Sequence, residues 1–176
     1  MRFGEPQQPP GEPGSDRPAW LRSQASLGAR LVVWGAHGGA GTTTLAIWLQ
    51  PAWDLGPAQP PGHPRYPAAV ASSRPLIITC RTTAWSARAA TTAVAAVARA
   101  GGRVAVLAVV SDGWPEPPAA TSRFRLLEPQ VGTVVRVPFV PGLRQADDPA
   151  AVPLPRRAIR ALDQIRAAAS RSPHIR

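Results

Sequence analysis

The sequence predicts an α/β domain, a small and mostly parallel sheet of about four strands with helices on both faces. Three observations carry that expectation. Apolar runs of strand length recur at residues 31–34, 76–80, 104–110 and 133–137, apolar on consecutive positions as strands buried on both faces must be. Helix-length stretches stand between and after them, which gives right-handed crossovers and parallel neighbours. A glycine-rich turn, Gly35-Ala36-His37-Gly38-Gly39-Ala40-Gly41, joins the first run to Thr42-Thr43-Thr44 and the apolar Leu45-Ala46-Ile47-Trp48-Leu49.

Taken in order, residues 1–26 are rich in Pro, Gly, Gln and charge and cannot bury enough apolar surface to offset ordering, so a disordered tail is expected. Within it Trp20-Leu21 is an apolar pair suited to docking on the domain. The domain is read over residues 27–150, and its first strand over 30–34. A short helix over 42–50 is stopped by Pro51. Residues 51–74 are a Pro-rich connection in which nothing reads as a strand. After the second strand, Thr82-Thr83 can cap an Ala-rich helix closed near Ala100 by Gly101-Gly102. The third strand ends at Ser111-Asp112-Gly113, Phe124-Arg125-Leu126-Leu127 suggests a short helix, and a basic helix over 156–169 lies in a C-terminal segment 151–170, ahead of a tail at 171–176. Ile159, Leu162 and Ile165 recur along that helix at three-residue spacing and suit packing on the sheet.

The chain has 176 residues, enough for one domain with a buried core. Its 20 basic residues are all Arg against 10 acids, and the formal charge of +10 suits an acidic partner such as nucleic acid. The single cysteine, Cys80, excludes an internal disulfide, fits a reducing compartment and reads as an inert buried thiol. No apolar run approaches the ~18 residues of a spanning helix, and the first residues lack a signal-like apolar core. A soluble, cytoplasmic protein is expected, without membrane association.

In a loop of this composition, glycines let successive backbone N–H groups point inward at an anion. The plainer alternative is a turn that only connects a strand to a helix. His37-Gly38-Gly39-Ala40-Gly41-Thr42-Thr43-Thr44 resembles the Lys-Gly-Gly-x-Gly-Lys-Thr-Thr loop of the ParA/MinD-type partitioning and positioning ATPases. A second stretch is similar to the C-terminal half of that family: a strand ending in Thr79-Cys80-Arg81, then Val137-Pro138-Phe139 leading to Leu143-Arg144-Gln145-Ala146. The resemblance implies a reduced P-loop NTPase-like three-layer sandwich. It further implies phosphate contacts from Gly38, Gly39, Ala40, Gly41, Thr42 and Thr44, a Mg²⁺-facing hydroxyl at Thr43, and ATP or another nucleotide as the cofactor.

The departures define the expected activity. His37 stands where the family has its signature lysine and Thr42 where it has the phosphate-gripping lysine, so both cations that stabilise a transferring phosphoryl group are missing. The family's two strands with their switch aspartates have no room between the loop helix and residue 76, where Asp54 is the sole acid. Asp54 beside Gly56-Pro57 reads first as a turn aspartate, with a stand-in for a switch acid as the alternative. Losing those strands would leave residues 30–34 as an exposed edge, to be covered by the Pro-rich connection with Trp53 and Tyr66 or by a partner.

Ligands of open α/β sheets sit outside the carboxyl ends of the strands, which places Arg81 and Asp112 near the loop. Arg81 is either a phosphate-binding fork replacing a lysine or a solvated side chain. Asp112 matches the family's base-reading polar position and equally suits a turn before Gly113. His37 either donates to phosphate when protonated or points to solvent; His63 and His174 suggest nothing. The resemblance therefore implies a non-hydrolysing binding or scaffolding protein of plasmid-maintenance or conjugative-transfer type. Its partners would be nucleic acid met through an Arg-rich surface or a larger transfer or partition assembly. The alternatives are an ATPase completed by a partner or by the second subunit of a homodimer, and an interaction protein whose loop is empty.

Overall fold

A computed structural model describes residues 31–58 and 74–172. The expectations for the 1–26 tail, Trp20-Leu21, Arg30, His63, Tyr66 and His174 lie outside the described residues. The elements are β1 (Leu31–Gly35), α1 (Thr42–Trp48), β2 (Ala52–Pro57), β3 (Leu76–Arg81), α2 (Ala84–Arg99), β4 (Val104–Val110), α3 (Pro118–Leu127), β5 (Val134–Val137) and α4 (Arg156–Arg171). All four strand pairings are parallel, in the order β2-β1-β3-β4-β5.

Side-chain alternation explains the three layers. Leu31, Val33, Ile77, Val106, Ala108 and Val135 point to one face, where α1 and α4 cover them with Leu45, Leu49, Leu162 and Ile165. Val32, Trp34, Ile78, Cys80, Leu107 and Val109 point to the other, under α2 and α3 with Val94, Val97 and Phe124. Small residues at Ala87, Ala90 and Ala93 let α2 lie close on the sheet, as the alanine run suggested. Its start is capped by Thr83, whose hydroxyl accepts from the Ser86 N–H at 3.1 Å, and Gly101 follows its end with φ 74°.

The strand count is corrected from four to five. Residues 52–57 form β2, in the segment expected to hold none, and pair with β1 in the register Leu31↔Ala52 and Val33↔Asp54. The signals in Asp54-Leu55-Gly56-Pro57 favour a turn locally, but alternation buries Ala52 and Asp54 on the α1 side while Trp53 and Leu55 pack on the other. Pro57 ends a strand at the sheet edge, where its missing N–H costs no ladder bond. Accordingly β1 is not an edge: β2 and β3 flank it, and the segment thought to fold over β1 supplies its neighbour in the sheet instead.

Two helices also differ. α3 begins six residues before Phe124, at Pro118, where proline's missing N–H is harmless in a first turn. In α4 the buried positions are Ala158, Ala161, Leu162, Ile165, Ala168 and Ala169, a helical stripe on which Ile159 does not fall. Ile159 is 45% exposed, whereas Leu162 and Ile165 pack on the sheet as expected. No helix among the described residues is long and apolar enough to cross a membrane.

Candidate functional site

The order β2-β1-β3-β4-β5 reverses between β1 and β3, so the chains leaving their carboxyl ends diverge and open a crevice. The glycine loop after β1 occupies that crevice. β3 fastens it through two side chains that alternation aims to the same side as Ile77. The buried Thr79 hydroxyl donates to the Ala40 carbonyl at 3.2 Å, and Arg81 Nε donates to the Gly39 carbonyl at 2.9 Å. Arg81 Nη1 also reaches the Ser111 carbonyl at 3.5 Å. The Ala36 N–H donates to the Thr79 carbonyl at 2.8 Å, extending the ladder into the loop.

Within the loop, Gly39 (φ 78°) and Gly41 (φ 85°) take left-handed backbone that a side chain would strain. Among the described residues the N–H groups of Gly38, Gly39 and Gly41 meet no backbone carbonyl, and Gly38 and Gly39 form the exposed crown. Ala40 is buried beneath it. Thr42 turns its hydroxyl inward, 3.5 Å from that of Thr79, so its side chain supports the loop from below. Thr44 faces a cavity described below.

The acid expected to mark a turn sits at the foot of the loop. Asp54 is buried, and its Oδ2 accepts the Thr43 hydroxyl at 2.7 Å while Oδ1 accepts the Gly56 N–H at the same distance. The second bond is the turn-type contact the sequence suggested, and the first is a tie to Thr43 that the sequence reading did not name. The in-out alternation of Ala52-Trp53-Asp54-Leu55 was the available signal. Thr79, the lone hydroxyl in Leu76-Ile77-Ile78-Thr79-Cys80, was likewise not singled out as a support of the loop.

His37 does not point to solvent. It is buried, its Nδ1 lies 2.7 Å from the Gly38 carbonyl and so carries the proton, and Nε2 is buried without a partner among the described residues. Its ring meets Trp85 edge-on at 4.7 Å. A buried polar atom left without a partner costs about 1–3 kcal/mol, so the loop carries polar capacity it does not use internally.

A cavity of about 310 Å³ opens from Gly41 and Thr44 across the ends of β4 and β5. That is at the small end of the roughly 300–1,000 Å³ of small-molecule sites. Its walls are largely apolar, with Trp48, Val137 and Phe139, and its polar groups include Arg81, Asp112 and Arg144. Arg144 stacks on Phe139 at 4.8 Å. Asp112 performs the turn role and lines the cavity as well: Oδ1 accepts the Thr82 hydroxyl at 3.1 Å and the Trp114 N–H at 3.0 Å. Beyond it, Arg136 holds Glu116 through two 3.0 Å bonds. These bonds, ahead of one from Thr121, keep the Glu116 carboxyl below its usual range against the opposing effect of burial.

Cys80 is fully buried on the opposite face, and burial, with a smaller contribution from Glu116, pushes its thiol up to about 12. The thiolate is the reactive form. The native chain should therefore not react with a thiol reagent at pH 8, and one thiol per chain should appear in denaturant. Reaction at the native rate of a free thiol would contradict this placement.

No protein-family model, curated protein or solved structure matches this chain. What the fold and site define is therefore a class, a three-layer α/β protein with a five-stranded parallel sheet and a braced glycine loop at its switch point.

Proposed function

We propose that the protein is a degenerate ParA/MinD-like P-loop protein that binds a nucleotide with Mg²⁺, hydrolyses little or none of it, and serves as a binding or scaffolding component of plasmid-maintenance or conjugative-transfer type. The observation that carries the reading is the 2.7 Å bond from Thr43 to the buried Asp54, at the end of a loop whose Gly38, Gly39 and Gly41 amides have no backbone acceptor among the described residues. Phosphates fit against the N–H groups of Gly38, Gly39 and Gly41, and the base and ribose fit the cavity beside Phe139 and Arg144. Thr43 and Asp54 are the oxygen pair suited to Mg²⁺, which when bound neutralises charge on phosphate oxygens.

Weak or absent turnover follows from the cations. Arg81 is engaged with the Gly39 and Ser111 carbonyls, and Thr42 fills the lysine position with a hydroxyl turned into the domain. Neither aims positive charge at a transferring phosphoryl group. One observation favours a second reading, an ATPase completed by a partner or second subunit: Asp54 keeps an acid next to the Mg²⁺-type hydroxyl.

The test is ATP binding by calorimetry with and without Mg²⁺, followed by turnover. The native chain is expected to bind, Mg²⁺ to tighten binding, and phosphate release to stay at background. Asp54→Asn should weaken the Mg²⁺-dependent part about 10- to 100-fold. Gly41→Val, forced into φ 85° at a cost of about 1–3 kcal/mol, should lose binding while keeping its helical circular dichroism. Mg²⁺-dependent turnover abolished by Asp54→Asn would favour the second reading. Absence of binding to any nucleotide or to phosphate would leave an interaction protein with an empty loop.

A further inference from the structure

Two tryptophans stand exposed beyond the carboxyl ends of the adjacent strands β3 and β4, Trp85 at 64% and Trp114 at 76%. Trp side chains are highly buried on average, so two exposed on neighbouring segments call for an explanation. Each has one fixed contact. Trp85 opens α2 and packs on His37, and Trp114 takes its backbone position from the Asp112 carboxylate. The 3.1 Å bond from Thr82 to Asp112 ties the two segments together, and each Trp lies within three residues of it. Arg88 follows Trp85 by one helical turn on the exposed face of α2.

We propose that this surface is a stacking platform for single-stranded nucleic acid, with unpaired bases lying on Trp114 and Trp85 and phosphates meeting Arg88. Charge selects the occupant: a chain of formal charge +10 without a lysine favours a polyanion over an apolar protein surface. The aromatic rings select the strand state, because a flat indole offers a π-face to any unpaired base, whereas bases in a duplex are already stacked. Arginine adds a planar cation that both stacks and pairs with phosphate. The proposal does not depend on whether the glycine loop holds a nucleotide.

The test is fluorescence anisotropy of the full chain with a labelled oligothymidylate, an abasic oligonucleotide of equal length and phosphate number, and a duplex of equal length. Expected are tightest binding to the oligothymidylate and quenching of tryptophan emission. Trp114→Ala should weaken that binding about 5- to 150-fold, and Trp114→Phe should retain most of it. Trp114 is the residue to change because its side chain is exposed, and an unchanged melting transition verifies the fold; Trp85 also touches His37 and is less clean. Equal affinity for the abasic strand, an unaffected Trp114→Ala, or preference for duplex would reduce the interaction to charge and overturn the platform. So would failure to bind any oligonucleotide, including the case where the same surface instead brings two copies of the chain together.

Discussion

Gly35→Ala is expected to destabilise the domain by about 1–3 kcal/mol and to disable the loop, while Gly38→Ala three residues away is expected to change stability by less than about 0.5 kcal/mol. The contrast comes from space. A methyl group on Gly35 would run into the Thr42 hydroxyl and stand 3.1 Å from the His37 carbonyl and 3.4 Å from Pro57 Cα. Thr42 would have to leave its place beside Thr79, whose hydroxyl holds Ala40. The support beneath the loop would then be lost together with the fit of β1 against α1. At Gly38 nothing lies within 4 Å, and its φ is not in the left-handed region. Urea unfolding of the two variants measures the difference directly. Equal midpoints would mean that the loop is not seated as described.

The second large effect is in the core. Phe124→Ala should cost about 3–5 kcal/mol, lowering the melting temperature by roughly 10–20 °C. Phe124 is fully buried on α3 and belongs to the cluster that joins α2 and α3 to β3 and β4. Packing there is tight enough that a deleted ring leaves a void the neighbours fill only in part. Leu126→Ala, two residues on and 70% exposed, is the internal control and should shift the midpoint little. Comparable losses for the two would place α3 in the wrong rotation on the sheet.

Much of this architecture was legible in the chain. Consecutive apolar residues in Val104-Ala105-Val106-Leu107-Ala108-Val109-Val110 leave few structures besides a strand covered on both faces, and Gly101-Gly102 marks the end of α2 because few other residues adopt φ 74° without strain. The loop, too, was visible, since its glycines and threonines are contiguous. Ile159 was misassigned because a three-residue spacing drifts off a helical stripe of period 3.6, and the neighbouring Ala158 takes the buried place.

What the sequence determined by itself were the elements whose signals are local: β1, β3, β4, β5, the capped α2, the basic α4 and the glycine turn. Only the tertiary structure decided that residues 52–57 pair with β1, that Asp54 thereby meets Thr43, that Thr79 and Arg81 brace the loop, and that His37 is buried against Trp85. The reason is the range of the interactions. A strand rich in turn-forming residues is stabilised by ladder bonds to a partner about twenty residues earlier, and side chains 48 positions apart, as in His37 and Trp85, meet only when parallel strands bring their carboxyl ends together.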